Sequence, residues 1–175
     1  MNYLLISGSP RKGNTDYILG KLSRMLKGRV EFVQLRTKNI KHCVGCLYCD
    51  EHKACSIKDD MQALYPKIES ADVIILGTPN YFDNVNGLTK DFIDRTNPFY
   101  ETDKLKNKKI VFVVVGGGSI KNSNKVINGA LKSFSDCHKL KVVGKYCFKA
   151  LRIGDIEKDK SLNAKLKNIV SKINK

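Results

Sequence analysis

Hydrophobic residues recur along the chain in short runs that alternate with amphipathic segments. Continuous apolar runs, which are typical of buried parallel strands, occupy residues 3–6, 73–76 and 110–115. A fourth strand is predicted from the alternation at 30–35, and a fifth from the mixed stretch 140–148. The segments between the strands have helical periodicity, and they cover residues 15–26, 60–71, 88–96, 123–138 and 155–173.

This alternation of strands and helices predicts an α/β fold, in which helices cover both faces of a parallel sheet. We expect a doubly wound five-stranded sheet of order 2-1-3-4-5, which binds ligands at the carboxyl ends of strands 1, 3 and 4. With 175 residues and 42% hydrophobic content, residues 1–175 are expected to form a single domain. A cysteine-rich loop at about 37–58 interrupts the pattern. Pro66 lies inside the second predicted helix, which should therefore kink or start late.

The loop after the first strand has the composition of an anion site. Residues 7–15 include three hydroxyls, two cations, one amide and two glycines, and the following helix would point free backbone N–H groups into the loop. The loop has neither the G-x-G-x-x-G pattern of dinucleotide sites nor the GK[ST] ending of a P-loop. A monophosphate is therefore the predicted ligand, and a basic turn with Thr15 as helix cap is the alternative.

Two further loops follow the predicted strands 3 and 4. The first, residues 78–84, offers two aromatic rings and several amides, which suit the faces and the edge of a planar ring. The second, residues 116–119, is rich in glycine, so its backbone can approach a ligand closely. A phosphate loop beside two ring-binding loops indicates FMN as the cofactor.

The motifs GSPRKGNT at 8–15, DDM at 59–61, GTPNY at 77–81 and KDFIDR at 90–95, together with the glycine loop, resemble the flavodoxin-like NAD(P)H-dependent FMN reductase superfamily. The resemblance spans most of the chain and implies a flavodoxin-like fold. It implies FMN phosphate contacts from Ser9, Arg11, Lys12, Asn14 and Thr15. It implies isoalloxazine contacts from Pro79, Asn80, Tyr81, Phe82, Asn84, Gly117 and Gly118.

The resemblance also implies an enzyme, an FMN-dependent oxidoreductase. Electrons would come from NAD(P)H or a ferredoxin-like donor and pass to a flavin, a quinone or a similar acceptor, so the partners are small molecules or proteins. Because the cofactor performs the chemistry, no side chain is predicted as a catalytic acid, base or nucleophile. The segment 90–95 resembles the part that supports a dimer, so we expect a homodimer or a higher homo-oligomer. An ion pair at the helix end, involving Asp94 and Arg95, is the alternative for these residues.

The cysteine-rich loop carries a C-x-x-C-x-x-C run and a fourth cysteine after five intervening residues. The four are Cys43, Cys46, Cys49 and Cys55. Such spacing lets one tight loop hold three corners of a cuboidal cluster. The pattern resembles the compact motif of iron-sulfur flavoproteins, which implies a [4Fe-4S] cluster beside FMN and a role as a one-electron carrier. Four reduced thiols are an equal alternative, and zinc is disfavoured because its sites usually come as two separated C-x-x-C pairs.

The formal net charge of +15 raises the question of nucleic-acid binding. Lysines are spread along the whole chain without an RRM, KH or zinc-finger signature, so a solvated basic surface is favoured over a nucleic-acid site. A non-catalytic basic binding module is the least favoured function. No apolar run reaches the length of a membrane span and no cleavable leader precedes the first strand, so we expect a cytoplasmic protein with reduced cysteines and no membrane partner.

Overall fold

The computed structural model describes residues 1–174. Its strands are β1 (Asn2–Ser7), β2 (Arg29–Gln34), β3 (Val73–Tyr81), β4 (Asn84–Val85), β5 (Lys109–Gly116) and β6 (Lys141–Lys149). Its α-helices are α1 (Asn14–Met25), α2 (Tyr48–His52), α3 (Met61–Ser70), α4 (Gly87–Asp94), α5 (Ile120–Val126), α6 (Lys132–Cys137) and α7 (Leu162–Ile173). None of the helices in this part of the chain is long and apolar enough to cross a bilayer.

Five long strands pair in parallel in the order β2-β1-β3-β5-β6, and β4 pairs antiparallel with the end of β3. The predicted α/β fold, with a parallel sheet and helices on both faces, is confirmed. The predicted count of five strands is wrong, since six strands form among the described residues. The prediction missed β4 because a strand of two residues leaves no alternation in the sequence. The five long strands, taken without β4, follow the predicted order.

Two hydrophobic clusters lie on the two faces of the sheet. Leu4 and Ile6 of β1 face the cluster formed with α3, α4 and α6, whereas Tyr3 and Leu5 face the cluster formed with α1 and α7. Side chains that alternate along a strand point to opposite faces, so both sets of β1 residues are buried. This burial on both sides explains why the central strands appear as continuous apolar runs.

Three helices differ from their predicted form. Helix α3 begins at Met61 and continues through Pro66, so the expected late start is wrong. The segment predicted as one helix over 123–138 consists of α5, a π-helical segment at Ile127–Leu131 with a kink at Gly129, and α6. A 3₁₀ turn at Asp155–Lys158 precedes α7, which begins only at Leu162. The short helix α2, inside the cysteine-rich loop, was not predicted.

Candidate functional site

The loop after β1, the last residues of β3, and the end of β5 with the loop that follows it line one cavity of about 100 Å³ at the carboxyl edge of the sheet. The loop predicted at 78–84 is therefore partly wrong, because Pro79, Asn80 and Tyr81 belong to β3. The parallel register explains why they meet, because Ser7 lies beside Gly77 and Pro79 lies beside Val115. The cavity brings together eight of the twelve residues that the sequence predicted for FMN. They are Ser9, Arg11, Asn14, Thr15, Pro79, Asn80, Tyr81 and Gly117.

The first loop leads directly into the N-terminus of α1. The helix begins at Asn14, and its N-cap residue Gly13 makes no capping hydrogen bond through a side chain. The alternative in which Thr15 caps the helix is therefore wrong. The N–H groups of the first turn have no intrahelical partner, and the helix dipole adds partial positive charge, so this end of the cavity suits an anion.

Arg11 holds the loop across the mouth of the cavity. Its Nη2 donates to the carbonyl of Leu151 at 3.0 Å, which joins the first loop to the segment after β6. The Ser9 hydroxyl donates to the Arg11 carbonyl at 2.7 Å. The guanidinium thus brings a positive charge to the cavity while its position is set by a backbone contact.

Asn14 and Lys12 have surroundings that the sequence did not suggest. Nδ2 of Asn14 donates to the Arg152 carbonyl at 2.9 Å, and its Oδ1 accepts from the Ile156 N–H at 3.3 Å. The Asn14 side chain therefore ties α1 to the segment after β6, although the residue lines the cavity. Lys12 is exposed and lines a separate groove together with Lys21. Phosphate contacts from these two side chains stay predictions.

The end of β3 contributes an unpaired acceptor to the cavity. Oδ1 of Asn80 is buried, and it has no hydrogen-bond partner within residues 1–174. A buried acceptor without a partner costs free energy, so this oxygen suits a ligand that presents an N–H group, as the flavin ring does. Tyr81 borders the cavity and is 47% exposed. Phe82 and Asn84 are exposed and lie outside the cavity lining, so their ring contacts stay predictions.

The glycine loop after β5 reaches the cavity through Gly117 but not through Gly118. A Cβ atom on Gly117 would lie 2.6 Å from Cδ1 of Leu151, so the exposed Leu151 side chain would have to move to admit one. Gly118 is exposed and lies outside the lining. The predicted close approach of backbone to ligand stays a prediction at both glycines.

A buried carboxylate below the first loop was missed from the sequence. Asp16 accepts from the Ser7 hydroxyl at 2.6 Å and forms an ion pair with Arg36. The Ser7 oxygen in turn accepts from the Ser9 N–H at 3.3 Å. The pair neutralises a carboxylate that would otherwise repel a nearby phosphate, and it supports the base of the loop. Only the pairing of β1 with β2 brings Arg36 to this place, so no local sequence signal could reveal the contact.

The four cysteines of the loop line a second cavity of about 40 Å³. Cys43 and Cys46 are exposed, and Cys49 and Cys55 are half-buried. In the described part of the chain, no three His, Cys, Asp or Glu side chains converge closely enough to hold a metal ion. The thiols nevertheless fit a cluster in type, in number and in their common location.

Polar groups from outside the cysteine run are directed at two of the sulfurs. Nδ2 of Asn97 donates to Sγ of Cys49 at 2.9 Å, and Oγ of Ser56 lies 3.5 Å from Sγ of Cys46. The Ser56 hydrogen bond, together with one from the Tyr48 backbone, lowers the pKa of Cys46 and favours its thiolate. Thiolates and iron-sulfur clusters are both stabilised by such donors.

Arg95 lies below the same cavity and is buried within the chain. It forms an ion pair with Asp59, whereas Asp94 pairs with Lys90 on the surface of α4. Asp94 and Arg95 are adjacent but form ion pairs with different residues, not with each other. The buried position of Arg95 makes it unsuitable for a direct dimer contact, while the dimer itself stays a prediction.

The chain is similar to a known family and to known proteins. Residues 1–151 match the family described as NADPH-dependent FMN reductase. An iron-sulfur flavoprotein of Archaeoglobus fulgidus is 38% identical over 120 residues, which cover 66% of this chain and 62% of the relative. An iron-sulfur flavoprotein of Methanocaldococcus jannaschii is 34% identical over 148 residues, which cover 82% of this chain and 76% of the relative.

The likeness extends to solved structures. The structure of a flavone reductase superposes with a TM-score of 0.72 at 24% identity, and the match covers 99% of this chain and 61% of that protein. Identity this low shows the fold alone. The chain spans less than two thirds of the length of the Archaeoglobus fulgidus relative and of the flavone reductase.

Proposed function

Because the chain belongs to the NADPH-dependent FMN reductase family, we propose that it is a flavin oxidoreductase that holds FMN in the cavity at the ends of β1, β3 and β5. The predicted cofactor and co-substrate, FMN and NAD(P)H, are those of the family. We propose NAD(P)H as the electron donor and a free flavin or a quinone as the acceptor. One observation carries the proposal, namely that three segments distant in sequence, at the ends of β1, β3 and β5, line a single cavity.

The residues of the cavity suit the two ends of FMN. The uncapped N-terminus of α1 and the guanidinium of Arg11 suit the phosphate, and the unpaired Oδ1 of Asn80 suits a ring N–H. When bound, FMN supplies hydride and single-electron transfer. Asn80, Gly117 and Tyr81 would hold the ring, and the half-exposed Tyr81 borders the open side of the cavity, which a nicotinamide or an acceptor could approach.

The phosphate end can be tested by comparing FMN with riboflavin. Arg11→Ala removes a charge from the cavity, and we expect it to weaken FMN binding roughly 10- to 100-fold, since a charge-assisted contact contributes about 1–3 kcal/mol. Riboflavin binding, measured by the same fluorescence titration, should change little. Arg24→Ala is the control, because it removes the same charge from an exposed position near the other end of α1. Equal affinity of the unsubstituted protein for FMN and riboflavin would contradict the phosphate site.

The cysteine cavity favours a second candidate function, one-electron transfer. We propose that Cys43, Cys46, Cys49 and Cys55 hold a [4Fe-4S] cluster and that a ferredoxin-like protein is the electron donor. The common cavity of the four thiols and the Asn97 hydrogen bond to Cys49 support this proposal. Similarity to iron-sulfur flavoproteins supports it as well.

Anaerobic reconstitution followed by iron and sulfide analysis tests the cluster. We expect about four irons and four sulfides per chain, as a [4Fe-4S] cluster requires. Cys46→Ala should abolish this uptake without loss of FMN binding, because the FMN cavity is built from other loops. Cys137→Ala is the control, since Cys137 lies outside the cysteine run and is also exposed. Protein that takes up no iron, yet reduces quinones with NAD(P)H, would leave only the plain reductase function.

A further inference from the structure

The ion pair of Arg95 and Asp59 joins the two ends of the cysteine loop, at Lys41 and Asp59, which we call the neck of the loop. Nη1 of Arg95 lies 2.6 Å from Oδ2 of Asp59, and Nη2 lies 3.1 Å from Oδ1, so the contact is bidentate. Both side chains are inaccessible to solvent. Nη1 also donates to the carbonyl of Lys41 at 2.8 Å. One guanidinium therefore joins the chain just before the first cysteine to the chain just after the last.

Asp59 reinforces the same junction through backbone contacts. Its carboxylate accepts from the N–H of Lys41 at 2.8 Å and from the N–H of Met61 at 3.0 Å. The loop ends are thus held by charge-assisted hydrogen bonds from both members of the pair. These bonds do not involve a sulfur, so the neck is closed by the protein alone.

One N–H group of the Arg95 guanidinium, the one on Nε, takes no part in these hydrogen bonds. Nε of Arg95 is buried and has no hydrogen-bond partner among residues 1–174. Arg95 lines the cavity that all four cysteines line. A buried donor without a partner is unfavourable, so this position suits a ligand that offers an acceptor.

A neighbouring residue shows which acceptor the site favours. Asn97 lies two residues after Arg95 in the same turn, and its Nδ2 donates to Sγ of Cys49 at 2.9 Å. Arg95 and Asn97 both line the thiol cavity, and Asn97 already donates to a cysteine sulfur there. A sulfur is therefore a suitable acceptor for the Nε–H group of Arg95 as well.

We propose that Arg95 is a positioning residue for the cluster, which holds the cysteine loop closed and donates its Nε–H to a cluster sulfur, thereby raising the reduction potential. This inference rests on the proposed iron-sulfur function. A reduced cluster carries one more negative charge than an oxidised one, so a cation and an N–H donor beside it stabilise the reduced form more. A purely structural ion pair would close the neck without changing the potential.

The midpoint potential of an Arg95→Lys variant distinguishes these roles, because lysine keeps the charge beside Asp59 but lacks the planar fork and the Nε–H group. In the anaerobically reconstituted protein we expect a lower midpoint potential, measured by redox titration of the visible spectrum. We also expect iron loss to a chelator to be about 10- to 100-fold faster, as is typical when the partner of a metal ligand is removed. In the metal-free protein, the thiols should react faster with a disulfide reagent, since the loop neck is weaker.

Thr96→Val is the matched control. It removes a buried hydroxyl from the same turn, and that hydroxyl bonds to the Ile93 carbonyl and to His138 rather than to a thiol. This variant should be less stable than the unsubstituted protein but keep its midpoint potential and its rate of iron loss. Such a result shows that general destabilisation of the turn does not account for the effect of Arg95→Lys.

A second variant covers the case in which Arg95→Lys does not fold. The combination of Asp59→Asn with Arg95→Gln removes both charges together, so no unpaired charge stays buried, and it should also lower the midpoint potential. Unchanged potential and iron loss in the folded Arg95 variant would overturn the role of Arg95 and leave the cluster in place. Failure of the unsubstituted protein to take up iron would instead overturn the iron-sulfur function, and with it the donor role.

Discussion

At the scale of a single residue, buried His138 makes the stability of the folded protein depend on pH. Its Nε2 lies 2.8 Å from Oγ1 of Thr96, whose own proton is donated to the Ile93 carbonyl at 2.6 Å. His138 must therefore donate through Nε2, and Nδ1 keeps a buried lone pair that has no partner within residues 1–174. Burial lowers the pKa of His138 from 6.5 to about 4, so the ring is neutral in the folded protein.

A lowered histidine pKa predicts loss of stability in mild acid. Between pH 6.5 and about 4 the unfolded chain binds a proton at this ring and the folded chain does not, so the free energy of unfolding falls as the pH falls. The full effect is about 3 kcal/mol. Urea unfolding at a series of pH values should show this slope, and His138→Asn should reduce it. Equal slopes in both proteins would show that other groups account for the acid sensitivity.

At the scale of an element, the hairpin of β3 and β4 has a turn that its sequence does not favour. Phe82 and Asp83 both have left-handed backbone conformations, with φ of 51° and 59°. Two-residue turns of this kind favour asparagine and glycine, since other side chains meet the backbone. Phe82 is fully exposed, so no burial compensates for its conformation. Strained residues of this type cluster at functional sites, and the turn lies next to the cavity proposed for FMN.

Replacement of the strained aromatic residue should stabilise the protein. We expect Phe82→Asn to raise the free energy of unfolding by about 1 kcal/mol, because asparagine tolerates positive φ and little packing is lost. Tyr100→Asn is the control, since Tyr100 is also an exposed aromatic residue but has a φ of −62°. Denaturant unfolding of both variants gives the comparison. A destabilised Phe82→Asn protein would mean that the ring makes contacts that the isolated chain does not contain.

At the scale of the whole molecule, the edge strand of the sheet exposes lysines, whereas several loops expose apolar side chains. The edge strand β6 exposes Lys141, Lys145 and Lys149, and lysines on an edge strand discourage pairing with other chains. Exposed apolar side chains occur in the cysteine loop, where Val44 and Leu47 are 71% and 65% exposed, and after β6, where Leu151 and Ile153 are 67% and 61% exposed. Grouped apolar residues of this kind indicate contact with another molecule. A homodimer therefore stays a prediction, and the cysteine loop is the surface to examine for it.

Local patterns in the sequence were sufficient for the long elements and for most of the cavity lining. Strand runs and helical periodicity depend on neighbouring residues, so four of the long strands were located to within one residue at each end. The third was cut short at residue 76, because the polar residues that end β3 look like a loop in the sequence. The loop at 7–15 was recognised from its own hydroxyls, cations and glycines. Placement of several loops at one edge followed from the general geometry of parallel sheets. Short elements such as β4 and α2 were missed, since too few residues carry their pattern.

Contacts between distant residues were decided only by the tertiary structure. Asp16 meets Arg36 because β1 pairs with β2, and Asp59 meets Arg95 because the end of α4 packs beneath the cysteine loop. Neither charged pair differs in sequence from ordinary surface residues. The energetic importance of both pairs comes from burial, because an unpaired buried charge is costly and a buried ion pair fixes the position of a loop. The sequence by itself therefore determined which groups the sites contain, and the fold determined which partners hold those groups in place.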